Sequence, residues 1–167
     1  MKQHFSKINA KILNQKDQSK DEEKCNCTRK NKNNCPLNGN CCQKSVVYKA
    51  EVISDVETKV YYGSTKNEFK TRFNKHISTF NNKPNQGSTT LAKYVHELNK
   101  RKIKHKIKWS IKSRAHSFSS GGKKCDLCIV EKLTILKADP RTMLNKRDEL
   151  LSKCPHKGCF YLSSIKV

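Results

Sequence analysis

The chain of 167 residues has few acidic residues and no long apolar run. Its 14 Asp and Glu stand against 36 Lys and Arg, which gives a formal net charge of +22 that is spread along the chain. A surface that serves solubility alone usually mixes both signs, so this excess predicts a polyanionic partner. No apolar stretch comes near the roughly 20 residues needed to cross a bilayer. The sequence therefore favours nucleic acid over a membrane as the partner.

The N-terminal region lacks the features of a secretory signal. It contains basic residues but neither a continuous apolar core nor a small-residue cleavage site. The protein is therefore expected inside the cell, and its charge together with a nucleic-acid partner favours the nucleus. The nine cysteines would then lie in a reducing compartment, and their odd number argues against complete pairing. They are better explained as metal ligands than as disulfides.

Composition divides the chain into four segments. Residues 1–24 are polar and charged and predict a mobile basic and acidic arm. Residues 25–44 hold five cysteines among turn formers, cannot bury a core of their own, and predict a small zinc knuckle. Residues 45–162 mix strand and helix patterns and predict one domain with its own structural zinc site, and 163–167 form a tail. A single hydrophobic core is expected.

Alternating apolar residues predict three strands. The first runs from Val46 to Ile53 and the second from Val60 to Gly63, and together they predict an antiparallel hairpin. The third lies within Ile103 to Lys112, where Ile107, Trp109 and Ile111 alternate with polar residues. The expected fold class is therefore α/β of the α+β kind, a small three-stranded antiparallel sheet flanked by helices, with zinc-binding appendages.

Apolar residues at helical spacing predict the flanking helices. Thr65-x-x-Glu68 is a plausible capping box, which starts a helix near Lys66. Its expected inward face consists of Phe69, Phe73, Ile77 and Phe80. Further helices are predicted around Leu91, Val95 and Leu98, over 126–138, and over 146–153.

The first two predicted strands and the helix after them carry side chains that are able to bind and cleave a phosphodiester. Tyr48 lies on the first strand, Tyr61 and Gly63 on the second, and Arg72 and His76 one turn apart on the next helix. This order resembles the GIY-YIG nuclease family, with "VVY" at 46–48 and "YYG" at 61–63 in place of its two signatures. Two departures are Val46 for the first glycine and Tyr62 for the middle isoleucine, which put packing in doubt more than catalysis.

The resemblance extends to later residues. Glu131 and Asn145 fall where the family keeps its metal-binding glutamate and its asparagine. The phrases "CNCTRKNKNNCPLNGNC", "KKCDLCIVEKLTILK" and "LNKRDELLSKCPHK" are similar to the endonuclease region of Penelope-like retroelements. This implies a nuclease that nicks DNA so that a 3′ end primes reverse transcription at the target site, with DNA and possible element RNA as partners.

Residue chemistry suggests a role for each of these side chains. Glu131 can hold one Mg²⁺ or Mn²⁺, and Arg72 can clamp a phosphate through its donors. The base is Tyr48 or Tyr61, and the family resemblance points to Tyr48 at the attacking water. His76 can relay a proton or hold the phosphate. An alternative role for Asn145 is that of a helix N-cap. An alternative role for Glu131 is an ion pair with Lys132 or Lys137.

Two zinc sites are predicted. Cys125-x-x-Cys128 with Cys154 and His156 supplies four ligands for tetrahedral zinc, and Cys159 can substitute for His156. The second site comprises Cys25, Cys27, Cys35 and either Cys41 or Cys42, and would grip nucleic acid through neighbouring basic residues. The alternative to a metal-dependent endonuclease is a zinc-stabilised nucleic-acid-binding module without catalysis.

Overall fold

The computed structural model describes residues 25, 27, 35–82, 89–115 and 125–146. The strands are β1 (Val46–Ser54), β2 (Thr58–Thr65) and β3 (His105–Arg114). The helices are α1 (Phe69–Asn81), α2 (Thr90–Lys100) and α3 (Asp126–Lys137). The order along the chain is β1, β2, α1, α2, β3, α3, so the expected α+β fold class with three antiparallel strands is confirmed. The predicted last helix over 146–153 lies almost wholly outside the described residues.

The sheet has β1 in its centre, in the order β2, β1, β3, and both pairings are antiparallel. Tyr48 lies opposite Gly63 on β2 and opposite Ile111 on β3. A register shift between Val47 and Tyr48 interrupts the pairing with β3. Such an irregularity bends the strand and increases its twist locally. It therefore falls beside the tyrosine on which the candidate site is built.

Helices cover both faces of the sheet. Tyr48, Ala50 and Val52 alternate along β1 and belong to the larger core cluster, together with Phe69 of α1 and Leu91, Val95 and Leu98 of α2. Val47 points the other way and packs with Leu127 and Cys128 of α3. Because side chains of a strand alternate between faces, α1 and α2 lie on one face and α3 lies on the other.

The start of α1 differs from the sequence expectation. The helix begins at Phe69, its N-cap Glu68 makes no side-chain capping bond, and Thr65 Oγ1 donates to the carbonyl of Asn67 at 3.2 Å. The predicted capping box is therefore wrong. Backbone carbonyls of the cysteine-rich segment take its place, since the N–H of Phe69 donates to Gln43 at 2.9 Å and that of Lys70 to Cys41 at 2.8 Å.

The inward face of α1 is also shifted from the expected one. Phe69 and His76 are buried, Phe73 and Phe80 are half-buried, and Ile77 is exposed. The prediction for Ile77 is therefore wrong, because the polar His76 occupies the core position that an apolar pattern would give to a neighbour. A polar ring in the core needs partners, which the candidate site provides.

A short segment after α3 extends the sheet at the outer edge of β2. The N–H of Val60 donates to Thr142 at 2.8 Å and the N–H of Leu144 donates back to Val60 at 2.7 Å, in a parallel arrangement with Met143 opposite Val60. This pairing was not predicted. It protects part of the β2 edge and brings Asn145 to the strand.

No helix within the described part of the chain is both long and apolar enough to cross a membrane.

Candidate functional site

The candidate site is centred on the hydroxyl group of Tyr48. Nε2 of His76 lies 2.8 Å from this oxygen, and Nε of Arg72 donates to it at 3.0 Å. Arg72 and His76 are one turn apart on α1, so both reach the same point on the sheet. The structure thus brings together three of the residues that the sequence singled out.

Gly63 makes room for the Tyr48 ring. A Cβ atom built on Gly63 would contact the Tyr48 hydroxyl oxygen closely and would lie 2.6 Å from its Cζ atom. Any side chain here would displace the ring or the strand. The glycine is therefore required by close approach, which the sequence pattern alone did not distinguish from a strand-ending turn.

Burial sets the protonation state of the Tyr48 hydroxyl group. Burial raises the pKa of Tyr48, the charge and hydrogen bond of Arg72 oppose this shift, and the charge of Glu131 adds to it. The hydroxyl group is therefore protonated at neutral pH in this state. Glu131 on α3 is therefore near enough for its charge to affect Tyr48, although its own hydrogen bond is with Ser64.

His76 is held in its neutral form. Burial and then the positive charge of Arg72 lower the pKa of His76 to about 3. A neutral imidazole can accept a proton, and Nε2 faces the hydroxyl group of Tyr48. Arg72 can only donate. The Tyr48 oxygen therefore accepts a hydrogen bond from Arg72 and forms a second one with Nε2 of His76, whose direction is set by the imidazole tautomer.

Tyr61 lies next to these groups on the neighbouring strand. Its ring centroid is 6.1 Å from that of His76, with an edge-to-face orientation. Burial would lower the pKa of Arg72, but interactions with Tyr48 and Tyr61 outweigh it and raise that pKa. Tyr61 therefore contacts the same guanidinium group, and two tyrosine hydroxyl groups share one arginine.

Glu131 is held by a residue that sequence analysis missed. Ser64 Oγ donates to Glu131 Oε2 at 2.7 Å, which ties α3 to β2 beside Gly63. Ser64 directly follows the "YYG" motif. Strand alternation places it on the opposite sheet face from Gly63, and that alternation was the signal that the sequence offered; the structure shows that α3 covers this face. The bond fixes the orientation of the carboxylate.

Asn145 pairs with the backbone of β2. Its Oδ1 accepts from the N–H of Tyr62 at 2.8 Å, and its Nδ2 donates to the carbonyl of Tyr62 at 2.9 Å. The side chain thus imitates a neighbouring strand and satisfies both backbone groups between Tyr61 and Gly63. Asn145 is buried, and these contacts give it a part in holding the strand that carries the site.

Four cysteines lie close enough to hold a metal ion. The sulfur atoms of Cys25, Cys27, Cys35 and Cys41 are all within 4.8 Å of one another. The Cys25–Cys35 and Cys27–Cys41 sulfur pairs are each 3.6 Å apart. Tetrahedral zinc with Zn–S bonds of about 2.3 Å separates its sulfur ligands by about 3.8 Å. The cluster fits structural zinc, with Cys41 rather than Cys42 as the fourth ligand.

The loop between two of these cysteines has the backbone of a metal knuckle. The N–H of Gly39 donates to Cys35 Sγ at 3.0 Å, and Asn38 and Gly39 both have positive φ angles, of 50° and 102°. Burial followed by the neighbouring thiols raises the pKa of Cys41. Zinc binds cysteine as the thiolate, and the ammonium group of Lys70, whose pKa is raised by its hydrogen bond with Cys27, lies beside the cluster.

The other predicted zinc site is described only in part. Cys125 and Cys128 are buried in the smaller core cluster, at and just after the start of α3. Cys154, His156 and Cys159 lie outside the described residues. Within the part of the chain that is described, the cluster at 25–41 is the only group of three or more His, Cys, Asp or Glu able to hold a metal. Glu131 does not belong to any such group among these residues.

Comparisons of the chain with protein-family models, with curated proteins and with solved structures found no match. The interpretation of the site depends on its geometry and its chemistry.

Proposed function

We propose that the protein is a metal-dependent DNA endonuclease of the GIY-YIG type, derived from a Penelope-like retroelement and suited to priming reverse transcription at its target site. The observation that carries the proposal is the Tyr48 hydroxyl group, which lies 2.8 Å from His76 and 3.0 Å from Arg72. Further support is that Tyr61 and Tyr48 both interact with Arg72, and that the charge of Glu131 raises the pKa of Tyr48.

The contacts support a hydrolytic route. A water molecule attacks the phosphorus atom and loses its proton to the Tyr48 oxygen in its ionised form, which the neighbouring charge of Arg72 favours. His76, whose pKa is lowered to about 3 by burial and by Arg72, stays neutral and holds the Tyr48 oxygen through Nε2. The bond from phosphorus to the leaving oxygen breaks, and that oxygen receives a proton from solvent. Arg72 donates to the phosphate and to the Tyr48 oxygen, and so stabilises negative charge on both.

Glu131 is the residue that would hold Mg²⁺ or Mn²⁺. One carboxylate suffices for Mg²⁺, which keeps most of its water ligands and binds phosphate oxygens. Bound there, the ion would supply charge stabilisation for the phosphate and the leaving oxygen. Ser64 orients the carboxylate by its 2.7 Å hydrogen bond. The ion and the guanidinium group of Arg72 would then act on the same phosphate.

Zinc in the cysteine cluster would have a structural role. Cys41 of the cluster and nearby Gln43 supply the carbonyl groups that accept from the first amides of α1, the helix that carries Arg72 and His76. Ordering the cluster with zinc would therefore stabilise the position of both side chains. The net charge of +22 supports DNA as the partner, and a nuclear location follows from that partner.

A zinc-stabilised nucleic-acid-binding module without catalysis is the second candidate. The observation in its favour is that Tyr48 has no exposed surface and His76 has 2%. Burial also raises the pKa of Tyr48, which disfavours its role as a base at neutral pH. For catalysis, substrate or metal must open the site or lower the pKa of Tyr48. A binding module requires neither change.

The test is conversion of supercoiled plasmid to open-circle or linear DNA by the zinc-loaded protein in Mg²⁺. Wild type should cleave, and Glu131→Ala should lose at least about 100-fold in rate. Glu97→Ala is the matched control, because it removes a carboxylate that is 62% exposed on α2. It should cleave like wild type.

Either product form is compatible with the proposal, and it tells nicking from cutting of both strands. A folded, zinc-loaded wild type that binds the plasmid but leaves it intact in both Mg²⁺ and Mn²⁺ would support the binding module instead. Equal activity of Glu131→Ala and wild type would remove Glu131 from the site.

A further inference from the structure

Helix α3 is apolar on two opposite sides. Leu127 is fully buried and packs with Val47 of the sheet. On the other side, Ile129, Leu133 and Leu136 are 41%, 48% and 62% exposed. At 3.6 residues per turn these three side chains lie in one row along the helix, which we call the outer stripe. A helix that is apolar all round is typical of a buried position, so a further part of the protein is expected to cover this stripe.

A cavity of about 410 Å³ adjoins the outer stripe. Val130 and Leu133 line it from α3, and Tyr62 lines it from β2. Because Leu133 belongs to both the cavity and the stripe, the two form one continuous surface. Lys112 and Lys137 also line the cavity, and both are exposed. The surface is therefore apolar along the helix and basic at the cavity.

The cavity wall also contains a buried polar atom, the hydroxyl oxygen of Ser113. Within the described residues this atom has no hydrogen-bond partner. Buried hydroxyl groups in proteins are almost always hydrogen-bonded, because leaving one unpaired costs free energy. The surface thus favours a peptide segment as its occupant, since apolar side chains, acidic side chains and backbone groups would match its three parts.

The described part of the chain ends beside this surface. Asn145 binds both backbone groups of Tyr62, at 2.8 and 2.9 Å, so the chain passes the cavity just before its last described residue. Residues 147–167 follow in the sequence, and Leu150 and Leu151 come near their start. Four residues of extended chain span at most about 14 Å. Both leucines are therefore within a short reach of the cavity.

We infer that residues 147–153 of this chain dock on the outer stripe of α3 and on the cavity beside it. Leu150 and Leu151 supply apolar side chains for the stripe. Asp148 and Glu149 supply charges opposite in sign to those of the two lysines at the cavity. The inference goes beyond the proposed function and does not depend on it.

Docking would hold α3 from its outer side, and α3 is the helix that carries Glu131. The incompletely described zinc site would join a neighbouring part of the chain to the start of the same helix, through Cys125, Cys128, Cys154 and His156. Zinc binding and docking are nevertheless separate contacts. A variant of the outer stripe leaves all four zinc ligands in place, so it tests docking alone.

The experiment is hydrogen–deuterium exchange of the full zinc-loaded chain, measured by mass spectrometry. In wild type, the amides of residues 147–153 should exchange at least about tenfold more slowly than in the same peptide free in solution. The variant Leu133→Glu/Leu136→Glu should raise their exchange rate at least about tenfold above that of wild type. Both substitutions are at exposed positions, and the circular dichroism spectrum checks that the fold is retained.

The matched control is Ile53→Glu/Val56→Glu. It adds the same two charges at apolar residues that are 42% and 67% exposed, away from α3, and should leave the exchange of 147–153 unchanged. The reciprocal variant Leu150→Glu/Leu151→Glu should uncover the stripe and raise the exchange rate of residues 129–136 about threefold or more.

Two results would overturn the inference. One is exchange of 147–153 in wild type at the rate of the free peptide, and the other is equal protection in wild type and in Leu133→Glu/Leu136→Glu. Sedimentation distinguishes a second copy as the occupant. A wild-type dimer that becomes monomeric in Leu133→Glu/Leu136→Glu, with 147–153 unprotected in both, would assign the stripe to that copy. No DNA enters these measurements, so their outcome is independent of the plasmid assay.

Discussion

Replacing Gly63 by alanine should destabilise the protein through its contact with Tyr48. The new Cβ would lie 2.6 Å from Cζ and 3.1 Å from Cε2 of the ring. The ring is fully buried, packs edge-on against Phe69 at 5.3 Å, and is held by two hydrogen bonds at its hydroxyl group. It cannot rotate away without losing those contacts, so the strand must move.

The expected cost is that of overpacking a core, about 1–3 kcal/mol. Replacement of glycine where its backbone is unstrained would by itself stabilise by about 0.4–1 kcal/mol through the unfolded state. The net loss should therefore lie near 1–2 kcal/mol, measured by urea denaturation of the zinc-loaded chain. Activity should fall further than stability, because the hydroxyl group would leave Arg72 and His76.

A double-mutant cycle with Tyr48→Leu isolates the contact. Leucine lacks the atoms that an added Cβ would meet, so Gly63→Ala should cost less than about 0.5 kcal/mol in that background. Gly39→Ala is the control: Gly39 has a φ of 102° and nothing within 4 Å, so its cost comes from backbone strain and should not depend on residue 48. The reasoning is refuted if Gly63→Ala is neutral or costs the same in both backgrounds.

Three further predictions concern His76, Ser64 and Cys41. Burial lowers the pKa of His76 in the folded protein from 6.5 to about 3, so its contribution to stability is complete above pH 6.5 and is lost as pH falls towards 3. In urea denaturation, wild type should therefore lose about 2 kcal/mol more of its free energy of unfolding than His76→Asn between pH 7 and 5. Equal losses in the two proteins would contradict the burial of His76. Ser64→Ala should leave the fold intact but raise the Mg²⁺ concentration needed for cleavage about tenfold; an unchanged requirement would remove Ser64 from the site. Cys41→Ser should lower bound zinc by about one ion per chain and reduce the helical circular dichroism signal, whereas unchanged zinc would rule out the cluster.

The sheet could be predicted from the sequence because its periodicity is local. Alternation around Val46 to Ile53 and around Trp109 is enough to define strands, and the short connection between β1 and β2 sets their pairing. The segment over 141–146 has no such pattern. It joins the sheet through two backbone bonds to Val60 and one side chain, Asn145, which are tertiary contacts that residue spacing does not reveal.

Residues of the site could be predicted where they form sequence motifs. Features that depend on contacts between distant elements could not be predicted. Tyr48, Arg72 and His76 follow a recognisable order, and the structure brings them to one oxygen atom. The predicted start of α1 was wrong because the carbonyl groups of Cys41 and Gln43 replace the side-chain cap. These two residues lie far before the helix in the sequence. Ser64 was missed because its partner, Glu131, lies on another element.

The most direct test of the account is the single-turnover rate of DNA cleavage by Tyr48→Phe in Mg²⁺. The change keeps the buried ring and removes only the hydroxyl group between Arg72 and His76. Tyr94→Phe is the matched control, because it removes a hydroxyl group that donates to Glu57 at 3.0 Å, outside the site. We predict a loss of about 100-fold or more for Tyr48→Phe and none for Tyr94→Phe. Cleavage by Tyr48→Phe at the wild-type rate would contradict the central claim.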